Sequence, residues 1–225
     1  MKILYCFASR SRPEQFFEVL NNVKNLSASH DYNVIAKLDE DDKSMNNEDI
    51  RKLLTLFPEV IVRWGLSSSK IHAINRSMHD LPDYQILVNL SDDQRFMVKG
   101  FDEIIKNNIE EGKHFYHYME DFATNRVAVM NITTKEYYER RGFIYSDEYY
   151  SMFCDEEETS VAKILDVYKL CPENIFVHYH YSQRGDKRIP KDLLYARNDT
   201  YRSDERVFIK RKARNFDLVN THTHN

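Results

Sequence analysis

Two adjacent carboxylates, Asp92 and Asp93, follow a short apolar run from Ile86 to Leu90. An apolar run of this length between polar residues is typical of a strand buried on both faces, as at the centre of a parallel sheet. Ligands of open α/β sheets bind at the carboxyl ends of the strands, where these two acids would lie. Paired carboxylates at such an edge suit a hard divalent cation held together with substrate phosphates. An ordinary polar turn after a strand is the alternative interpretation.

The same succession of an apolar strand and polar side chains occurs twice earlier in the chain. The predicted first strand, residues 2–8, runs into Ser9-Arg-Ser-Arg-Pro13, and the predicted second strand, residues 33–38, ends at Asp39-Glu-Asp-Asp42. Because parallel strands end at a common edge, we expect these side chains beside the paired carboxylates. For the acidic residues, a plain solvated turn is the alternative.

Candidates for proton transfer and metal binding lie late in the chain. Asp155 and Glu156 come at the start of a predicted helix, and a carboxylate there could take the proton of an acceptor hydroxyl. Asp155 also has capping-box spacing to Glu158, which would explain both acids without catalysis. His178 and His180 lie two residues apart in a predicted strand and so face the same side. They are candidate metal ligands, or else ordinary strand residues on a solvated face.

Strands and helices alternate along most of the chain. Pro13 and a Ser11–Glu14 capping box predict the start of the first helix, which has apolar residues at helical spacing. The succession predicts a doubly wound α/β sheet, mostly parallel and flanked by helices. The predicted strands are 2–8, 33–38, 59–64, 86–90, 126–132 and 174–181. The predicted helices are one that starts within 9–13 and has apolar residues at helical spacing from Phe16 to Leu26, then 48–56, 67–78, 101–109 and one from 155 onward, with Val161, Ile164, Leu165 and Tyr168 facing inward.

Composition is that of an ordinary soluble protein. Of 225 residues 42% are hydrophobic and 30% charged, and the net charge of −4 argues against a generally basic nucleic-acid coat. The three cysteines, Cys6, Cys154 and Cys171, are odd in number and lack metal-ligand spacing, which favours a reducing compartment. No apolar run is long enough for a signal peptide or a membrane span. We expect one domain over residues 1–219, a frayed tail at 220–225, and a cytoplasmic location (the host cytoplasm for a viral protein).

In their order these parts resemble a GT-A type glycosyltransferase, a Rossmann-like enzyme that binds a nucleotide sugar. The resemblance covers roughly residues 2–212 and rests on order and context rather than on one invariant string. Leu90-Ser-Asp-Asp93 stands where the family has its Asp-x-Asp metal motif, and Ser69-Lys-Ile-His-Ala-Ile-Asn75 resembles the helix that precedes this motif. Leu90 is a departure, since the longer form of the motif has an acid there.

The resemblance implies roles for these residues. Metal binding falls on Asp93 with His178 or His180, and the base of an inverting member falls on Asp155, with Glu156 as its rival. Gly142-Phe-Ile-Tyr145 resembles a turn near the acceptor site, and residues 184–191 would be the segment over the diphosphate. The implied donor-binding residues are Ser9, Arg10, Arg12, Asp39, Lys70, Asn75, Asp92 and Arg184. For Lys70 and Asn75, the polar side of an amphipathic helix is the alternative.

The implied reaction suits these residue types. A divalent ion and nearby Lys or Arg neutralise the charge that develops on a nucleoside diphosphate leaving group. Oxygen-rich ligands suit Mg²⁺ or Mn²⁺, and one imidazole favours Mn²⁺. The resemblance therefore implies metal-dependent transfer of a sugar, with inversion, from a nucleotide-sugar donor to a hydroxyl, and a UDP-sugar is the expected donor.

The acceptor is suggested only by charge. From Arg184 to Arg214 there are 11 Lys and Arg against 5 Asp and Glu, a net of +6, while the remainder of the chain carries −10. With Tyr195 and Tyr201 interleaved, this segment admits DNA bearing a hydroxymethylated pyrimidine, as in viral DNA, as the acceptor. A soluble glycan or a small molecule is the alternative. Two other functions stay open: a nucleotidyltransferase, and a non-catalytic nucleotide-binding module in which Leu90 replaces an acid.

Overall fold

The computed structural model describes residues 1–120, 126–179 and 198–218. Strands and helices alternate in the first half of the chain, as the apolar pattern predicts. The described strands are β1 (Ile3–Ser9), β2 (Tyr32–Asp39), β3 (Val60–Gly65), β4 (Ile86–Asn89), β5 (Gln94–Phe96), β6 (Phe115–Glu120), β7 (Asn131–Thr134) and β8 (Tyr168–His178). The described helices are α1 (Pro13–Leu26), α2 (Glu48–Leu54), α3 (Lys70–Arg76), α4 (Phe101–Asn107), α5 (Lys135–Arg141), α6 (Cys154–Ile164) and α7 (Asn198–Ala213), followed by a 3-10 turn at Asn215–Asp217.

The described strands form a single mixed sheet in the order β3-β2-β1-β4-β7-β6-β8-β5. The first four strands in this order are parallel, with Ile3 beside both Tyr32 and Ile86. β7 runs antiparallel to β4 and β6, β8 is parallel to β6, and β5 is antiparallel to β8. The predicted α/β class is confirmed, although the antiparallel pairings make the sheet more mixed than expected.

Both faces of the sheet are covered, which explains the nearly continuous apolar runs of its central strands. Alternate residues of β1 point to opposite faces: Tyr5 packs in the cluster that includes α1 and α4, and Leu4 in the cluster that includes α3, α6 and α7. Leu90 belongs to the first cluster and is 3% exposed. Its side chain is therefore part of the core.

Several local predictions need correction. α1 begins after Arg12 without a side-chain cap, so the Ser11–Glu14 capping box is wrong; the Ser11 amide instead donates to Asp42 Oδ2 at 2.6 Å. The strand predicted at 126–132 occupies Asn131–Thr134, because residues 126–130 lie in turns and irregular chain. Ile164, expected to face inward, is 50% exposed at the end of α6, and Tyr168, expected on the same helical face, is the first residue of β8.

Some strands and helices of the structure are displaced from their predicted positions or have no apolar pattern that predicts them. The strand predicted at 174–181 begins six residues earlier, at Tyr168, and its described part ends at His178. β6, α5 and α7 were not predicted at all.

Among the described helices, none is both long and apolar enough to cross a membrane.

Candidate active site

The carboxyl ends of β1, β2 and β4 meet at one edge of the sheet. Ser9 is the last residue of β1, Asp39 the last of β2, and Asp92 follows the end of β4. All three side chains are buried. The predicted meeting of polar residues at this edge is therefore present in the fold.

Asp92 is held by the loop after β1. Ser9 Oγ donates to Asp92 Oδ2 at 3.0 Å, and Arg12 Nη1 donates to Asp92 Oδ1 at 2.8 Å. Burial raises the pKa of the Asp92 carboxyl above its ordinary value, although the Arg12 charge opposes the shift. Asp92 thus connects the first loop to the strand end and positions Arg12 at this edge. The region around Asp92, Asp93, Lys70 and Asp155 is called the cleft.

Asp93 faces the other side of the cleft, where it meets β8. The pairing of β5 with β8 places Gln94 opposite His178, and His178 Nε2 lies 3.3 Å from Asp93 Oδ2. Burial alone would raise the pKa of Asp93, but His178 and Lys70 outweigh it and hold the pKa well below its usual range. Asp93 Oδ1 is buried and has no hydrogen-bond partner within the described residues. An ionised carboxylate with an unused buried oxygen is suited to a cation.

Lys70 stands between these acids and the start of α6. Ser69 caps α3 by accepting from the His72 amide at 3.0 Å, so Lys70 is the first residue of that helix. Its positive charge favours the ionised forms of Asp92, Asp93 and Asp155 alike. The structure therefore brings together Lys70 and three of the predicted acids.

Asp155 lies in the first turn of α6 and is not part of a capping box. The N-cap residue of the helix is Phe153, which has a φ of 62° and makes no side-chain cap hydrogen bond, and Asp155 Oδ1 accepts from the Glu156 amide at 2.9 Å. Glu158 instead accepts from Arg141 at 2.9 Å and from Tyr137 at 3.0 Å. Burial raises the pKa of Asp155 above its ordinary value, which Lys70 and His178 partly oppose.

The far end of the edge is an ion-pair group around Asp39. Arg10 Nη1 donates to Asp39 Oδ2 at 2.7 Å, and Lys37 Nζ donates to Asp39 Oδ1 at 3.0 Å and to the Gly65 carbonyl at 2.6 Å. Burial raises the pKa of Asp39, but the hydrogen bonds from Arg10 and Lys37 leave it below its ordinary value. Lys37 was missed by the sequence reasoning, although a lysine inside an otherwise apolar strand was a visible signal.

Asn75 is placed differently from the other candidates. Its side-chain amide donates to the Tyr145 carbonyl at 2.6 Å, and its oxygen accepts from the amides of Ile144 and Tyr145 at 3.2 and 3.4 Å. The side chain thus holds the turn that follows Gly142. Donor binding by Asn75 stays a prediction; the contacts within the chain are with this turn.

The ligand set for a metal is incomplete in the described part of the chain. His180 and Arg184, predicted for metal and donor binding, lie outside the described residues, as does the segment 184–191. Within residues 1–120, 126–179 and 198–218, no group of three or more His, Cys, Asp or Glu side chains is arranged around a metal position. Asp93 and His178, 3.3 Å apart, have the ligand types of a metal site and would supply two of the ligands.

Glu156 is half-buried beside Asp155, and its backbone carbonyl accepts from Ser160 Oγ at 2.7 Å. The two neighbouring acids, Glu157 and Glu158, are fully buried and bind Arg141 and Arg211. These buried pairs were not predicted, because their partners lie far apart in the sequence.

The topology and the polar edge define a Rossmann-like α/β protein. No family model and no curated protein matches the sequence. Solved structures do match, and they show that the chain has the GT-A fold of glycosyltransferases.

Three structures illustrate this likeness. The mannosyltransferase PcManGT from Pyrobaculum calidifontis, in complex with GDP-Man and Mn²⁺, matches with a TM-score of 0.67 and 14% identity over 81% of this chain and 58% of its own. S. aureus TarS 1-349, in complex with UDP-GlcNAc, matches with a TM-score of 0.70 and 11% identity over 99% and 69%. A 4-diphosphocytidyl-2C-methyl-D-erythritol synthase from Anaerococcus prevotii matches with a TM-score of 0.50 and 11% identity over 92% and 95%. This chain thus spans little more than half of the mannosyltransferase.

Proposed function

We propose that the protein transfers a sugar from a nucleotide-sugar donor to a hydroxyl group of an acceptor. One observation carries this proposal: on a GT-A fold, Asp92, Asp93 and Asp155 gather around Lys70 at the carboxyl ends of the parallel strands. This edge is the ligand-binding edge of open α/β sheets. The neighbours with GDP-Man and UDP-GlcNAc support the class of donor.

Lys70 and Arg12 are the groups we assign to the diphosphate. Lys70 is exposed toward the cleft, and Arg12 is oriented by Asp92 at 2.8 Å. Positive charges placed where the leaving group becomes more negative lower the barrier to its departure. Arg184, in the segment outside the described residues, is assigned the same role.

Asp93 and His178 are the residues we assign to a divalent metal, Mn²⁺ or Mg²⁺, with His180 as a further candidate. The carboxylate and the imidazole, 3.3 Å apart, would supply two ligands. When bound, the ion would neutralise charge on the diphosphate as a Lewis acid. One imidazole among oxygen ligands favours Mn²⁺.

The nucleoside end of the donor is assigned to the group around Asp39. These residues, Ser9, Arg10 and Asp39, lie at the ends of β1 and β2. They are on the same edge of the sheet as the side chains assigned to the diphosphate. Because Arg10 and Lys37 bind both oxygens of Asp39, recognition of the nucleoside would use this ion-pair group as a unit. A UDP-sugar is our proposed donor, while the neighbours contain both uridine and guanosine donors.

Asp155 is our proposed general base, with Glu156 as the alternative. The raised pKa of Asp155, caused by burial, brings the group closer to the pH at which it must accept a proton. The base would take the proton of the acceptor hydroxyl, whose oxygen would then attack the anomeric carbon from the side opposite the departing nucleoside diphosphate. A single displacement of this kind gives inversion of configuration, which we therefore propose.

Thermal melting with a panel of donors tests the proposal. We expect UDP-glucose, UDP-GlcNAc or GDP-mannose to raise the melting temperature in the presence of Mn²⁺, because a ligand that binds only the folded state stabilises it. Asp93→Asn should abolish the Mn²⁺-dependent part of the shift. Asp83→Asn, an exposed carboxylate before the start of β4 at the opposite edge, should leave it unchanged. A wild-type protein that responds to no donor would refute the proposal.

A nucleotidyltransferase is the second candidate, favoured by the likeness to the diphosphocytidyl-methylerythritol synthase over 95% of that chain. The two reactions differ in their product. A glycosyltransferase releases a nucleoside diphosphate, and a nucleotidyltransferase releases pyrophosphate. A coupled assay for pyrophosphate with a nucleoside triphosphate and a sugar phosphate decides between them.

A further inference from the structure

The C-terminal helix α7 has two faces of different character. Its inner face is buried and includes Asp204, Phe208 and Arg211, at 1%, 8% and 5% exposure. Its outer face carries Arg202, Arg206 and Lys210, all of them exposed. Because residues four apart lie on the same side of a helix, these three cations form a basic stripe along α7, with a rise of about 6 Å between neighbours.

The three cations of the basic stripe differ from their neighbours Arg211 and Arg214 in their ionic contacts with the described part of the chain. Within the described residues, Arg202, Arg206 and Lys210 form no ion pair, whereas Arg211 binds Glu157 and Arg214 binds Glu148. An open cavity of about 450 Å³ is lined, among the described residues, by Asp199, Ser203 and the two arginines of the stripe. The Asp199 carboxylate is the one acidic group in that lining.

The inner face connects the basic stripe to the segment that carries Asp155. Asp204 accepts hydrogen bonds from the amides of Tyr150, Ser151 and Met152 at 3.0, 2.8 and 2.7 Å. The ring of Tyr201 packs edge-on against Phe153, with 4.9 Å between centroids, and Phe153 is two residues before Asp155. Tyr201 nevertheless remains 48% exposed. An exposed aromatic ring therefore stands between the stripe and the start of α6.

We propose that the outer face of α7 binds a DNA strand and presents one of its bases to the site at Asp155. The basic stripe would contact successive phosphates, which gives affinity without sequence preference. Tyr201 would stack on an unpaired base, as aromatic side chains do in proteins that bind single strands. The pairing of cations with an exposed ring favours a nucleic acid over a polyanion without bases. As an assignment of the acceptor, this inference rests on the proposed sugar transfer; as a DNA-binding surface, it does not.

Binding of a labelled single-stranded oligonucleotide containing 5-hydroxymethylcytosine, followed by fluorescence anisotropy, tests the surface. With three phosphate contacts on a single strand, the logarithm of the binding constant should fall with the logarithm of salt with a slope of about −2. The variant R202S/R206S/K210S should lose most of this salt dependence and at least about tenfold in affinity at low salt. The control K52S/K99S/R140S removes the same charge from exposed positions on other parts of the chain and should bind as the wild type does.

The role of Tyr201 separates a nucleic acid from other polyanions. Tyr201→Leu should lower the affinity for the oligonucleotide by about fivefold or more, which corresponds to the loss of one stacked base. It should leave the affinity for inorganic polyphosphate unchanged. Equal loss for both ligands would leave a surface for polyanions in general and overturn the assignment to DNA. Absence of binding by the wild type at low salt, or equal loss in the control variant, would overturn the surface itself. The anisotropy assay uses no sugar donor. A negative result for DNA binding therefore does not contradict the proposed sugar transfer, which the donor melting experiment tests separately.

Discussion

Two groups of buried acids near α6 differ in how their charges are matched. Glu157 and Glu158 are 0% and 1% exposed, and all four of their oxygens accept hydrogen bonds from Arg or Tyr side chains. In the cleft, Asp93 keeps one buried oxygen without a hydrogen-bond partner in the described part of the chain. Asp155 has a raised pKa because burial penalises its charge.

The difference separates structural charge from functional charge. Buried polar groups in folded proteins are normally satisfied, so an unsatisfied one requires an explanation. Perturbed acids gathered in a cleft are candidates for a site, whereas fully matched acids belong to the framework. By this criterion Asp93 and Asp155 are candidates for the proposed site, and Glu157 and Glu158 hold the elements around it.

The matched group joins three helices. Arg141 comes from α5, Arg211 comes from α7, and both donate to Glu157, at 3.3 Å and at 2.7 and 2.9 Å. Arg211 also binds Glu148 and Asp217. Side chains two residues apart on a helix are rotated by about 200° from each other. Because Glu157 is held on the inner side of α6, Asp155 points to the opposite side, toward the cleft.

The largest expected effect is on turnover. Asp155→Asn removes the proposed base, and we expect the rate of sugar transfer, or of donor hydrolysis where no acceptor is known, to fall by about 10²–10⁴-fold. Donor affinity from the thermal titration should change little, because Asp155 is assigned to the acceptor side. Glu156→Gln is the matched control, since it removes the neighbouring charge. A larger loss of turnover for Glu156→Gln than for Asp155→Asn would move the base to Glu156.

The next effect is on stability. Glu157→Ala removes the acceptor of Arg211 Nε and Nη2 and of the Tyr149 hydroxyl, all of them buried, and we expect the free energy of unfolding in urea to fall by about 3–5 kcal/mol. Glu110→Ala removes a 55% exposed partner of Lys169 and should leave the free energy of unfolding nearly unchanged, because solvent screens an exposed ion pair.

An apolar replacement distinguishes stability from positioning. In Y149F/E157M/R211M the matched charges are replaced together, which is often neutral or stabilising for a buried ion pair. We expect its melting temperature to return toward that of the wild type. Turnover should be lower than in the wild type, because α6 is no longer held in one orientation. Wild-type turnover in this variant would show that the ion pair does not position Asp155.

The sequence predicts the parallel half of the sheet well, because its strands are buried on both faces. The apolar run before Asp92, the run in β2 and the helical spacing in α1 are signals of burial, and they place Ser9, Asp39 and Asp92 at one edge. The sequence therefore predicts which side chains follow the central strands. It does not predict their contacts.

The rest of the site depends on pairs that are distant in the sequence. α7 has no apolar stripe to detect, because its buried side includes Asp204 and Arg211 as well as Phe208. Arg211 is 54 residues from Glu157, and His178 reaches Asp93 only through the pairing of β5 with β8. Such ionic partners carry no local periodicity, so neither the network nor the Asp93–His178 contact can be predicted from spacing.

The smallest effect is a pH-dependent difference in stability, whose sign depends on how the charge of the acid is matched. Burial raises the pKa of Asp155 above its ordinary value of 3.8, so the folded state binds the proton more tightly than the unfolded state does. The ionised group therefore costs stability as the pH rises above that value. Asp155→Asn should be more stable than the wild type at neutral pH, and the difference should vanish in acid, where both states are protonated.

Asp39→Asn should show the opposite sign. Arg10 and Lys37 hold the pKa of Asp39 below its ordinary value despite burial, so its ionised form stabilises the fold at neutral pH and this stability is lost in acid. Thermal melting of both variants and the wild type between acid and neutral pH measures the two differences. If Asp155→Asn were less stable than the wild type at neutral pH, the charge of Asp155 would stabilise the fold, as that of Glu157 does. This result would contradict the assignment of Asp155 to the site.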